Sequence, residues 1–319
     1  MCAPDVKAPF DARTKCCTYI PVIPNYLAGR ILQEKIEVFS AYLDRADVTP
    51  RGVSPDHDFV VAYSPKSPLF GRNIDWRCPY YLEKEGGLCG IWQHRNGRCA
   101  TWFCRHLRGE VSREFWNALE TLLTFVEQNL AGWCIQILDA GTPEFRAMFK
   151  PGGASNSGIW LRQQAFFQRS SILHKMQDEK TLKQFREMIW GKWFGKEEQF
   201  FCECNSLVSS LGWNDIKEIC GTVVKDFEQK TIEKYLSLAM TSLPDVLRLE
   251  DFHQVELDQD NVLVWTRNPY DPVALSKKTL RLLHQINGTS LTGAAEHIPE
   301  ELLRKLIDAG VLRRNSLQG

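Results

Sequence analysis

Eleven cysteines stand in this chain of 319 residues, and seven of them fall at or before Cys104. These seven are Cys2, the adjacent pair Cys16 and Cys17, then Cys78, Cys89, Cys99 and Cys104. Thiolates are soft donors that suit zinc, Cu(I) and iron–sulfur centres. If the chain folds back so that Cys16, Cys17, Cys78, Cys89, Cys99 and Cys104 converge, a bound metal gives a proline-rich segment the folding energy its own sequence lacks. Structural zinc sites usually show paired C-x2–4-C knuckles; only Cys99-x4-Cys104 fits that spacing, and no C-x2-C pair occurs in the cluster. Iron–sulfur centres take four cysteines at looser spacing. The pattern therefore favours an iron–sulfur cluster, of the 4Fe–4S kind, over zinc. Tyr80, Tyr81, Trp92, Trp102 and Phe103 lie between or beside the thiols and can supply an apolar shell. The alternative is that these are reduced thiols serving as small hydrophobes in a core.

Charged neighbours frame the same segment. Arg95, Arg98, Arg105 and Arg108 can offset an anionic thiolate site, or form a solvated face. His94 lies between Cys89 and Cys99, and His106 follows Cys104. Either can complete a metal shell as an imidazole ligand, or be an ordinary hydrogen-bonded or solvent-facing histidine. Cys134 reads as core, and so do Cys202, Cys204 and Cys220, because one residue between two thiols chelates a single zinc poorly. The tryptophans at 116, 133, 160, 190, 193 and 213 read as helix-packing residues.

The run Cys89-x-Ile91-Trp92-x-x-Arg95-x-x-x-Cys99-x-x-x-Phe103-Cys104 resembles the signature of the YkgJ-type cysteine-cluster family, a zinc- or iron-chelating domain. In that family's pattern a lone cysteine and, far upstream, an adjacent cysteine pair precede the run; Cys78 and Cys16–Cys17 stand in those places. Trp92 replaces a tyrosine, Asn96 a proline and Ala100 an arginine, and Phe103 abuts Cys104. The resemblance covers about residues 10–110. It implies a metal site formed by the six cysteines with Arg95 at the cofactor. Flagellin lysine N-methylases carry a similar cluster, so methyl transfer is one activity the resemblance brings. No C-x3-C-x2-C run and no G-x-G-x-x-G loop supports it. The C-terminal stretch is similar to small PqqD-like winged-helix modules, which implies a protein or peptide partner there.

These residues need a scaffold. Hydrophobic residues make up 44% of the chain and charged residues 24%, ordinary values for a globular protein with a real core. Lys and Arg balance Asp and Glu at 39 each, so no basic excess favours nucleic acid. No basic start followed by an apolar run marks a secretory signal, and no run of 18 apolar residues suggests a membrane span. The expected location is cytoplasmic, where thiols stay reduced and a cysteine cluster reads as metal-binding or catalytic first.

The expected fold is mainly α with minor β, in three parts. Residues 1–110 form a loop-rich cysteine-cluster domain, 111–250 a helical region, and 251–319 a small winged-helix-like domain. A helix follows Pro24, capped by Asn25, with Leu27, Ile31, Ile36, Phe39 and Leu43 on its apolar face. Phe59–Tyr63 reads as extended. A long helix opens at Ser112, and others occupy 157–175, 179–191, 206–211, 214–220 and 222–241. Leu211–Lys217 has a helix-turn-helix flavour, with two packed bundle helices as its alternative. A strand covers 261–266, helices cover 274–285 and 291–297, a last helix runs from Pro299 in its first turn to Ala309, and Gly310 then releases a closing strand at Val311–Leu312. No hydrolase or nucleotide-binding motif is present. Two functions follow: an iron–sulfur enzyme that acts in redox chemistry or modifies a protein or peptide, or a non-catalytic adaptor with structural zinc.

Overall fold

The computed structural model describes residues 11, 13–15, 17–43, 46–55, 71, 73–84, 87–102, 108–151, 178–239, 247–266, 272–286 and 298–314. Among them the chain is mainly α, with small antiparallel sheets. The extended piece at Phe59–Tyr63 and the helices at 157–175 and 291–297 lie outside the described residues. The described residues form two compact units, one within Phe10–Ala100 and Glu120–Glu228, the other within Thr101–Leu119 and Gln229–Gly319.

In the first unit, β1 (Ile23–Pro24) leads into α1 (Asn25–Gln33). The helix expected to run through Leu43 is two helices, with α2 at Glu37–Leu43. Lys35 takes φ 54°, and the Ile36 N–H reaches back to the Ile31 carbonyl, so the first helix closes there while the apolar pattern continues. Pro24, not Asn25, holds the cap position. Asn25 is buried instead, and its Nδ2 donates to the carbonyls of Pro50 and Ala131 at 2.8 and 3.0 Å. Two strands, β2 (Asp47–Thr49) and β3 (Gly52–Ser54), complete a sheet in the order β1-β3-β2, with Val53 opposite both Ile23 and Val48. A two-stranded ribbon follows, β4 (Tyr81–Leu82) with β5 (Leu88–Cys89), then the short helix α3 (Gly97–Thr101).

The long helix α4 spans Gly109–Ile137 and begins earlier than Ser112. Gly141, at φ 71°, and the Thr142 hydroxyl, which accepts from the Phe145 N–H, set up α5 (Pro143–Ala147). Asp178 caps α6 (Glu179–Trp190) through the N–H groups of Lys180 and Thr181. Helix α7 (Glu197–Ser209) is longer than the 206–211 segment expected, and α8 (Trp213–Cys220) and α9 (Val223–Ala239) follow. The Leu211–Lys217 stretch is the junction of α7 and α8. Leu211, Ile216, Ile219 and Cys220 pack there with Leu122, Phe125, Val126 and Phe227, the arrangement of two bundle helices. The main core of this unit gathers Ile23, Ile31, Phe39, Tyr80, Trp190, Phe200 and Phe201. Trp190 meets Phe200 edge to face at 5.6 Å.

The second unit carries more strand than its sequence suggests. Its strands are β6 (Leu247–Leu249), β7 (His253–Glu256), β8 (Asn261–Trp265), β9 (Val273–Ser276) and β10 (Leu312–Arg314). They form an antiparallel β7-β8-β9 meander and a β6–β10 pair. The residues Ala274 and Leu275 belong to β9, so the helix expected from 274 starts at Lys277 as α10 (Lys277–Ile286). Ser276 accepts from the Thr279 N–H at that start. Pro299 caps α11 (Glu300–Asp308) from outside rather than sitting in its first turn. Val262, Val264, Leu275, Leu283, Leu303 and Leu306 form the core.

Candidate metal centre

Backbone pairing links three of the six candidate cysteines, Cys17, Cys78 and Cys89. The Cys78 N–H donates to the Cys17 carbonyl at 2.8 Å, across a long stretch of chain. Thr14 and Thr18, both buried, hold this crossing by hydrogen bonds to and from the Gly71 backbone. The Cys78 carbonyl accepts the Tyr81 N–H, and Tyr81 pairs with Cys89 in the β4–β5 ladder. Asn96 then places Cys99: its Oδ1 accepts the Cys99 N–H at 3.0 Å, and its Nδ2 donates to the Val22 carbonyl. Cys16 and Cys104 lie outside the described residues, as do Cys2, Phe103, Arg105 and His106.

The thiols of Cys17, Cys78, Cys89 and Cys99 are half-buried. Burial pushes the Cys78 thiol well above its ordinary range, and the nearby Cys99 and Cys89 sulfurs push it further. Against this, the Tyr80 N–H donates to the Cys78 sulfur. Burial also raises Cys89, whose sulfur receives the Ile91 N–H and feels the positive charge of Arg95. Two thiols thus each accept the amide two residues on, a contact that favours the thiolate form. Among the described residues, no three His, Cys, Asp or Glu side chains stand close enough to hold one ion. Cys89 and Cys99 are near enough to Cys78 for their charge to be felt there.

Around the thiols, Tyr80 is buried against Phe39 and Tyr42, with ring centroids 5.9 and 5.5 Å apart. The expected apolar shell is partial, because Trp92 is 62% exposed. Arg95 lies over the Trp92 ring, 3.5 Å from its centroid, and donates to the Cys99 carbonyl, which keeps its charge near Cys89. The other described arginines of the run are turned to carboxylates. Arg98 pairs with Glu120 at 3.1 Å and Arg108 with Asp308 at 3.0 Å.

His94 is 2% exposed, in a 3-10 turn at Trp92–His94. Its Nε2 lies 2.7 Å from Glu34 Oε2, while its Nδ1 is buried with no hydrogen-bond partner. Sequence reasoning missed Glu34, a residue on α1's C-terminal cap with no motif to mark it. Cys134, Cys204 and Cys220 are fully buried, as expected of core cysteines, whereas Cys202 is only half-buried. Burial raises the Cys220 thiol to about 12.

Comparison of the chain with protein-family models, curated proteins and solved structures returned no match. No helix among the described residues is long and apolar enough to cross a membrane.

Proposed function

We propose that this protein binds an iron–sulfur cluster, with zinc as the alternative metal, through Cys16, Cys17, Cys78, Cys89, Cys99 and Cys104. The observation that carries the reading is the gathering of Cys78, Cys89 and Cys99, with amide N–H groups donated to the first two sulfurs. Hydrogen bonds to sulfur and low solvent exposure are among the factors that set a cluster's potential. The donors fit such a metal in kind. Arg95 supplies positive charge against the thiolates. A bound cluster would supply electron transfer or Lewis acidity at this place.

A non-catalytic reading has its own support. The strands beside the thiols are only two residues long, so a metal there would act chiefly as a staple. The C-terminal unit would serve a protein or peptide partner: β7 is an edge strand exposed at all four residues, free to add a strand. Purification without oxygen separates the readings. A brown protein with broad visible absorption and matched iron and sulfide supports the cluster. A colourless protein with one zinc moves the case to the structural site. Absence of both metals overturns metal binding, and full metal content in the Cys78→Ala, Cys99→Ala double variant overturns the ligand assignment.

A further inference from the structure

We infer that the strand added to β7 is the β7 of a second copy of this chain, antiparallel about a two-fold axis at Val255, which rests on the reading of β7 as an open edge. The phase of that edge follows from the ladder inside it. Glu256 stands opposite Val262, so one step on Leu257 stands opposite Asn261, and its N–H donates to the Asn261 carbonyl at 3.0 Å. Hydrogen-bonded and non-hydrogen-bonded pairs alternate along an antiparallel ladder. His253 and Val255 therefore turn their backbone groups to β8, and Gln254 and Glu256 turn theirs outward. Strand edges that stay single usually carry a lysine, a proline or a bulge. β7 has none of these, and it pairs with β8 without a break from His253 to Glu256. The opposite edge of the meander, β9, is exposed at Ala274 alone.

A second copy fits this edge in one register. Outward residues must face outward residues, which puts a two-fold axis on a residue and not between two. An axis at His253 or Gln254 sets Phe252, which packs against its own unit's core, opposite a polar Gln254 or Glu256. An axis at Glu256 sets two carboxylates face to face, a destabilising pair. An axis at Val255 sets Gln254 opposite Glu256, where they exchange backbone hydrogen bonds. The Gln254 amide can then donate to the carboxylate, whose Oε1 already receives Lys277 Nζ at 2.9 Å. On the other face Val255 meets its own copy and Leu257 meets His253, whose ring is stacked on Trp265. Val255 and Leu257 are 45% and 52% exposed, and this register covers both. One short strand buries less than the roughly 1,000 Å² of a lasting interface, so the association is weak and concentration-dependent.

Sedimentation of the full-length protein from micromolar to millimolar concentration tests this, with monomer giving way to dimer as the expected result. Gln254→Pro removes an outward N–H and leaves the β7–β8 ladder its bonds. Val255→Lys brings two ammonium groups together on the axis. Each should abolish the dimer while β8 amides keep their protection from exchange, and Val255→Lys decides alone where Gln254→Pro does not fold. In Val255→Cys, mild oxidation should give a covalent dimer whose linked peptides join the two 255 positions. Facing residues of a non-hydrogen-bonded pair stand about 4.5 Å apart at Cα, within disulfide reach. Glu256→Cys, which faces Gln254, should give no such link. A dimer that survives Val255→Lys, or that shows no link at 255, overturns the inference. A protein monomeric throughout also overturns it, and its amides show which step failed. Fast exchange at Gln254 and Glu256 leaves β7 an open edge for a different partner. Slow exchange there shows the edge covered within the chain, and the open-edge reading falls with it.

Discussion

At the scale of single residues, Glu127 on α4 shows how the site's backbone is tied to the scaffold. Its Oε1 accepts the Gly97 N–H at 2.6 Å, at the start of the short helix that carries Cys99. Burial, with the Glu120 charge adding to it, pushes the Glu127 carboxyl up to about 7 although the Gly97 N–H opposes the rise. The same carboxyl when unfolded titrates near 4.5. The folded protein therefore holds this proton more tightly. The carboxyl's contribution to stability is full below about pH 4.5 and is lost as the pH rises through about 7. Glu127→Gln should remove this dependence, since an amide oxygen can still accept the Gly97 N–H. Urea unfolding at about pH 5 and about pH 8 reads it: the variant should gain on the wild type at the higher pH, by up to about 1.4 kcal/mol for each pH unit crossed. An identical pH slope in both proteins would sink the claim. Residues of this kind are hard to see in sequence. The cysteines announce themselves by type, whereas Glu127 and Glu34 are two carboxylates among many until the fold brings Gly97 and His94 to them.

At the scale of elements, the close approach of α1 and α7 fixes where the first unit's helices can sit. Gly29 faces the α7 backbone so closely that a Cβ would lie 1.8 Å from the Phe201 carbonyl oxygen. Helix propensity alone favours Gly29→Ala by about 1 kcal/mol. A contact that short against backbone cannot be relieved by turning a side chain, so the helices must part, and overpacking of that sort costs about 1–3 kcal/mol. Gly29→Ala should therefore lower Tm. An unchanged or raised Tm would show that α1 shifts without cost. Legibility followed element length here. The long helix α4 was readable because many residues repeat its 3.6-residue period. The break between α1 and α2 was hidden, since Ile36 and Phe39 continue the apolar pattern past a left-handed Lys35. Strands of two or three residues hold no period at all. The exposed β7 shows no alternation, and β9 was absorbed into the helix that follows it because Ala274 and Leu275 suit either.

At the scale of the whole molecule, each compact unit has its own hydrophobic centre, and the candidate metal centre belongs with the first. Tyr80, Ile91 and the half-buried Cys78 and Cys89 pack into the core built on Trp190, Phe200 and Phe201. The second core, around Leu283, Leu303 and Leu306, contains none of them. Residues with no shared partners usually act additively, so damage to one core should leave the other unit's chemistry intact. Leu303 is fully buried on α11, and Leu303→Ala removes side-chain volume that its neighbours can only partly refill, at a cost of about 2–5 kcal/mol. Hydrogen exchange should then quicken in β8, β9 and α10 while amides of α1 and α7 keep their protection, and the metal content should stay at the wild-type value. The reciprocal variant Phe200→Ala, in the first core, should loosen α1 and α7 and reduce the metal held, because the β4–β5 ribbon and its thiols lean on that core through Tyr80. If Leu303→Ala instead lowers protection equally in both units, the chain unfolds as one cooperative body and the independence argued from its two cores is wrong.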